Sequence, residues 1–140
     1  MRHPILLPLI AQTALVVVVW IRMYITRIRE LRQRKLSPQT LSTSAQASGV
    51  LTDVAAADNF RNLFEIPVLF YAVCCALAIA DAESAAQLSL AWLFVGLRAV
   101  HTFIHLTYNR VMHRFTVYVL SSVVVFVMWV LLAVALLTDG

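Results

Sequence analysis

Apolar residues run almost unbroken through four stretches of this chain, and polar residues gather between them. The stretches cover about residues 4–24, 63–80, 86–106 and 115–137, each near the ~20 residues a helix needs to cross a bilayer core. Because that core holds no water to satisfy an open backbone, such runs predict helices. The expected fold is all-α, an integral membrane four-helix bundle forming one domain over residues 1–140.

The connections carry their own signals. The first span, centred on "ALVVVVW", continues as "RMYITRIRELRQRK" in a helical pattern with no breaker before Pro38. The small-residue cleavage site of a signal peptide is missing there, so the span is expected to stay in the chain. Polar "SPQTLSTSAQASG" predicts a flexible loop over about residues 36–52. Helical pattern resumes near Asp53, and "DVAAADNFRNLFE" predicts a helix entering the second span without a break. Pro67 has no N–H for the Leu63 carbonyl, which predicts a kink or a free carbonyl one turn inside the membrane.

Composition narrows the class. At 61% hydrophobic and 13% charged, the chain departs far from a soluble domain. Charge then orients the bundle. Arg22, Arg27, Arg29, Arg32, Arg34 and Lys35 follow the first span against the single Glu30, and Arg110 and Arg114 sit between the third and fourth. The turn "ADAES" between spans two and three is acidic. Basic loops stay in the cytoplasm, so both termini are expected on the non-cytoplasmic side, with only Arg2 opposing. Such a basic flank is a topology signal and a contact for anionic lipid, and it calls for no nucleic acid. Cys74 and Cys75, adjacent on one helix, point apart and read as packing residues.

Two polar clusters stand at membrane depth. On the second helix, Asn59, Arg61, Asn62 and Glu65 fall on one face if the helix is continuous. On the third, "RAVHTFIHLTYNR" sets Arg98, His101, His105 and Asn109 in a stripe. A charge at that depth costs at least ~2.5–3.5 kcal/mol on insertion scales and normally faces protein or water with a partner. Glu65 is the obvious candidate partner for Arg98.

Three readings compete. The polar residues can be structural, Arg61 pairing with Glu65 and Arg98 fastening helix to helix. His101 and His105, four residues apart, can offer two imidazoles to a metal, completed by Glu65 or His113. Arg98 beside such a site repels a cation, and no Glu-x-x-His pattern accompanies it, so no metal is expected. The third reading is an anion pocket. Arg61, Arg98 and Arg114 suit carboxylates, Asn62 serves as a neutral partner, and Glu65 suits an amine. A zwitterionic peptide such as glutathione fits that set.

The elements "RNLFE" and "RAVHTFIHLTYNRVMHR" resemble the MAPEG family, membrane-associated proteins in eicosanoid and glutathione metabolism. The resemblance covers almost the whole chain, in its four spans, basic first loop and order of polar motifs. Length and the plain "HLTYN" element are closer to bacterial members, which implies an integral multi-pass protein of a bacterial inner membrane. The resemblance further implies a homotrimer with glutathione, as co-substrate, bound between neighbouring subunits near the cytoplasmic face. Carried over by motif, Arg61, Asn62 and Glu65 bind glutathione, while Arg98, His101 and His105 line or support the pocket. Arg114 matches the arginine that stabilises the glutathione thiolate in catalytic members, with Tyr118 one turn further on. Arg29 or Arg32 fills the place of an arginine contributed by the first helix.

The activity so implied is a glutathione-dependent transferase or peroxidase acting on lipophilic electrophiles or hydroperoxides. The alternative is a non-catalytic membrane protein whose polar residues fix helix packing and trimer assembly. Three positions depart from the best-known members. His105 stands where catalytic members often have tyrosine, Phe115 where a prostaglandin-synthase-like member has serine, and Ile66 where leukotriene-synthase-like members have tyrosine. Synthesis of those lipid mediators is therefore not expected.

Overall fold

The computed structural model describes residues 3–37, 39, 49, 51 and 55–138. Most of the loop expected over 36–52, and the resumption of helix near Asp53, lie outside the described residues. Among the described residues the chain is helical throughout: α1 (Leu6–Arg34), α2 (Ala55–Asn62), α3 (Ile66–Ile79), α4 (Ala85–Leu106) and α5 (Val111–Thr138). Four helical units are long and apolar enough to cross a membrane, α2 and α3 together making the second.

Local chemistry explains most boundaries. Lys35 ends α1 in the left-handed conformation (φ 53°), and the Leu36 N–H returns 3.0 Å to the Leu31 carbonyl. Asp81 does the same after α3 (φ 49°), with the Ala82 N–H 3.1 Å from the Leu77 carbonyl. These are the bonds that close orphaned helix carbonyls. Helix α4 opens on the capping sequence "SAAQ", where the Ser84 hydroxyl accepts from the Gln87 N–H at 3.1 Å. At the same end, Glu83 accepts from the Ile5 N–H (3.2 Å) and contacts His3 Nδ1 (2.9 Å), tying the start of α1 to the α3–α4 turn.

One boundary corrects the expectation from sequence. The helix from Ala55 does not run unbroken into the second span. It stops at Asn62, residues 63–65 form a turn, and α3 starts anew at Ile66 with Pro67 in its first turn. A proline is well placed in a first turn, where its missing N–H has no partner to lose, and badly placed one turn later. Starting a new helix therefore resolves the conflict that a kink would only have softened.

The interior divides into two halves. Towards the termini, Ile5, Phe70, Val73, Cys74, Leu77, Phe94, Val125 and Met128 form an apolar core. Within it the rings of Phe70 and Phe94 stack at 4.3 Å between centroids. Towards the basic turn, α4 instead buries Arg98, His101, Thr102 and His105. Outside, residues such as Trp20, Ile79, Phe103, Val130 and Leu137 present an apolar surface that only a lipid or protein neighbour would cover. Cys74 packs in the core and Cys75 faces outwards, as their adjacency on one helix requires.

Candidate functional site

The break between α2 and α3 supplies the first site contact. In an unbroken helix the Asn62 carbonyl would bond four residues on. Freed by the turn, it instead accepts from Arg98 Nη2 at 2.9 Å. Arg98 is fully buried, and neither Nε nor Nη1 has a partner among the described residues. Its guanidinium lies 5.9 Å from the centroid of the Tyr118 ring, close enough for a cation–π contact. The Tyr118 hydroxyl in turn donates to Glu65 Oε2 at a long 3.5 Å.

The expected Arg98–Glu65 ion pair is therefore replaced by a relay, arginine beneath the ring and carboxylate at the hydroxyl. Arg61 differs more. With α2 ended at Asn62, Glu65 no longer sits one turn above it. Arg61 points to the surface and, among the described residues, reaches Asp58 alone, at 3.9 Å. Such an exposed pair contributes little.

On the other side of Tyr118, helices α4 and α5 meet around Arg114. Arg114 Nη1 donates to His105 Nε2 at 3.0 Å and to Asn109 Oδ1 at 2.5 Å. His101 Nδ1 donates to the Arg114 carbonyl at 3.2 Å. These partners set the imidazole tautomers, because a guanidinium can only donate and a carbonyl can only accept. Both rings carry their proton on Nδ1, which leaves His101 Nε2 and His105 Nδ1 buried and without partners among the described residues. Asn109 lies past the end of α4, in the left-handed conformation (φ 49°) that asparagine tolerates better than most residues.

Asn62, His101, Val111, Arg114, Phe115 and Tyr118 line an open cavity of about 210 Å³. Of the residues singled out in the sequence, Asn62, His101, Arg114 and Tyr118 thus share one hollow. Arg98, Glu65 and His105 touch its walls, and Arg61 is not brought to it. Arg29 and Arg32 lie elsewhere, on an open face of α1 beside a hollow of about 380 Å³. Arg32 also borders a second, of about 490 Å³, with Lys35.

His113 turns to the Tyr108 hydroxyl at 3.2 Å. No group of three or more His, Cys, Asp or Glu side chains is placed to hold a metal among the described residues. Sequence reasoning put Asn109 in the polar stripe without seeing its bond to Arg114. The usable signal was an asparagine in the turn "TYN" that follows the helix, a position suited to positive φ.

The cavity can attract an anion. Arg114 offers a guanidinium at its wall, and Arg98 stands behind with no carboxylate of the described residues at ion-pair distance. Two arginines compensated mainly by neutral acceptors leave a local excess of positive charge in a low-dielectric setting. Compared with known proteins, the chain matches the family model described as "MAPEG family" over residues 5–134. No curated protein and no solved structure matches it.

Proposed function

The chain belongs to the MAPEG family, and from that premise we propose that it binds glutathione in the α4–α5 cavity and uses it as transferase or peroxidase. It is an integral, multi-pass membrane protein of that family. The observation that carries the proposal is the meeting of Arg114, Tyr118, His101 and Asn62 around one open hollow, with the buried Arg98 guanidinium, held by the Asn62 carbonyl, behind it.

The chemistry follows from charge. A thiol is a weak nucleophile and its thiolate a strong one, so a fixed cation at the sulfur raises the reactive fraction. Arg114 lines the cavity and would supply that cation. Tyr118, one turn along α5, would donate a hydrogen bond to the same sulfur once its hydroxyl leaves Glu65. The freed Glu65 carboxylate would then receive the ligand's amine. Held in this way, the thiolate displaces the leaving group of an apolar electrophile arriving from the lipid. With a hydroperoxide it takes the terminal oxygen and releases the alcohol. The resulting sulfenic acid is reduced by a second glutathione to disulfide and water. Proximity and charge stabilisation account for the rate without a further group.

At about 210 Å³ the hollow is open rather than closed. In the proposed homotrimer a neighbouring subunit would complete it, and Arg29 or Arg32 on that neighbour's outward α1 face would reach the ligand. By the positive-inside rule the basic connections would put this end of the bundle in the cytoplasm, where glutathione is available. The enclosing bilayer would be a bacterial inner membrane.

The test uses the full chain in lipid nanodiscs. Glutathione titrated calorimetrically should bind saturably. The same preparation should conjugate a general aryl halide electrophile or reduce an organic hydroperoxide at the expense of glutathione. Absence of both binding and turnover would reject the proposal.

A further inference from the structure

Arg114 is the residue whose charge the proposed chemistry needs, and the structure shows how it is held. Its Nη1 nitrogen carries two hydrogens, and two acceptors take them, His105 Nε2 at 3.0 Å and Asn109 Oδ1 at 2.5 Å. Two acceptors from different parts of the chain, one on α4 and one in the turn after it, restrain both the position and the tilt of the guanidinium. No other bond of the Arg114 side chain is formed among the described residues. Its remaining donors, on Nε and Nη2, lie along the side-on edge of the fork, the edge suited to bidentate recognition of an anion.

The identity of the two acceptors matters as much as their geometry. Asparagine and Nδ1-protonated histidine are both neutral. A carboxylate in either place would hold the guanidinium more strongly and cancel its charge. The turn makes this choice possible, because Asn109 adopts a left-handed φ of 49° that few other side chains accept.

We infer that His105 and Asn109 are positioning residues for Arg114, a neutral clamp that orients the guanidinium while leaving its full positive charge for an anionic sulfur. The inference rests on the glutathione reading for the identity of the anion, but not for the clamp itself. His105 thereby acquires a role at the position where catalytic relatives often carry tyrosine. It acts on the ligand through Arg114 rather than by touching it.

The experiment has two arms. In the first, glutathione is bound to the full-length protein in nanodiscs, and the thiolate is followed by its ultraviolet absorbance across a pH series. His105→Leu and Asn109→Gly each remove one acceptor, the glycine keeping the backbone free to adopt positive φ. Each should raise the pH at which bound thiol ionises. Asn109→Asp should raise it by about one pH unit or more, because the new charge opposes the thiolate. His105→Gln, which presents an acceptor at the same reach, should restore wild-type behaviour. A purely structural role predicts instead that Asn109→Asp is harmless.

The second arm needs no glutathione. Nitrogen NMR of histidine-labelled protein should show His105 protonated on Nδ1 with an unprotonated Nε2, and Arg114→Ala should shift that Nε2 signal. A proton on Nε2, or a signal indifferent to Arg114→Ala, overturns the clamp. Wild-type protein that shows the clamp by NMR but binds no glutathione overturns the functional reading instead. Unchanged thiol ionisation in Asn109→Asp, with glutathione bound, overturns the inference that neutrality matters.

Discussion

Arg114→Ala is expected to lower glutathione-dependent turnover by about a hundredfold or more, in kcat far more than in KM. Removing one preorganised donor from a charge-stabilising site typically costs ~2.7–4 kcal/mol of transition-state stabilisation. In this chain the loss should reach at least that scale, because Arg114 supplies a full charge rather than a dipole. The binding loss should be smaller, since the ligand would keep its contacts along Asn62, Glu65 and the neighbouring subunit. Steady-state kinetics with an aryl halide electrophile, varying glutathione, separates the two constants. A rise in KM with kcat unchanged would show that Arg114 merely anchors the ligand.

The second large effect separates function from adhesion. Arg98→Met should weaken glutathione binding at least tenfold while leaving the fold and the proposed trimer intact. Arg98 is fully buried, and among the described residues it has one acceptor and two nitrogens without a partner. Holding a guanidinium there costs several kcal/mol, and an apolar side chain of similar length avoids that cost. The substitution strands the Asn62 carbonyl, at ~1–3 kcal/mol. The opposing terms are of similar size, so the thermal midpoint should move little in either direction. Were Arg98 only a fastener between α4 and the α2 end, the outcome would invert. The variant would then lose assembly or stability, and no ligand would register its absence. Thermal unfolding and size-exclusion chromatography of the same sample as the binding assay read both outcomes.

The legible part of this molecule is the part governed by one-dimensional pattern. Long apolar runs predict membrane helices because the bilayer leaves the backbone no alternative. Of the stripe Arg98, His101, His105 and Asn109, the three on α4 are buried, while Asn109 lies past the helix end and is exposed. The illegible part begins where two local rules compete. Pro67 was visible in the sequence, and so was its conflict with Leu63. The restart frees the Asn62 carbonyl, and the partner it meets is Arg98, 36 residues further on and outside the reach of any local rule.

The same restart determines the fate of Arg61. One more turn of helix would have stacked it with Glu65, and its absence sends it to Asp58 and solvent. At Arg114 the difficulty is of another kind. Spacing shows that His105 and Asn109 are neighbours on a helix surface, but only the turn after Leu106, with Asn109 at positive φ, bends the chain back so that both reach one guanidinium nitrogen. Residue type at a site is readable from pattern; its partner across a turn is not.

The central claim is that the hollow between α4 and α5 holds glutathione with its sulfur at Arg114. Its most direct test is a cryo-electron microscopy map of the full-length protein in nanodiscs at saturating glutathione. Tripeptide density is expected in that hollow, with the sulfur against the free edge of Arg114 and the Tyr118 hydroxyl turned from Glu65 towards it. An empty hollow under those conditions, or glutathione lodged away from Arg114, would contradict it.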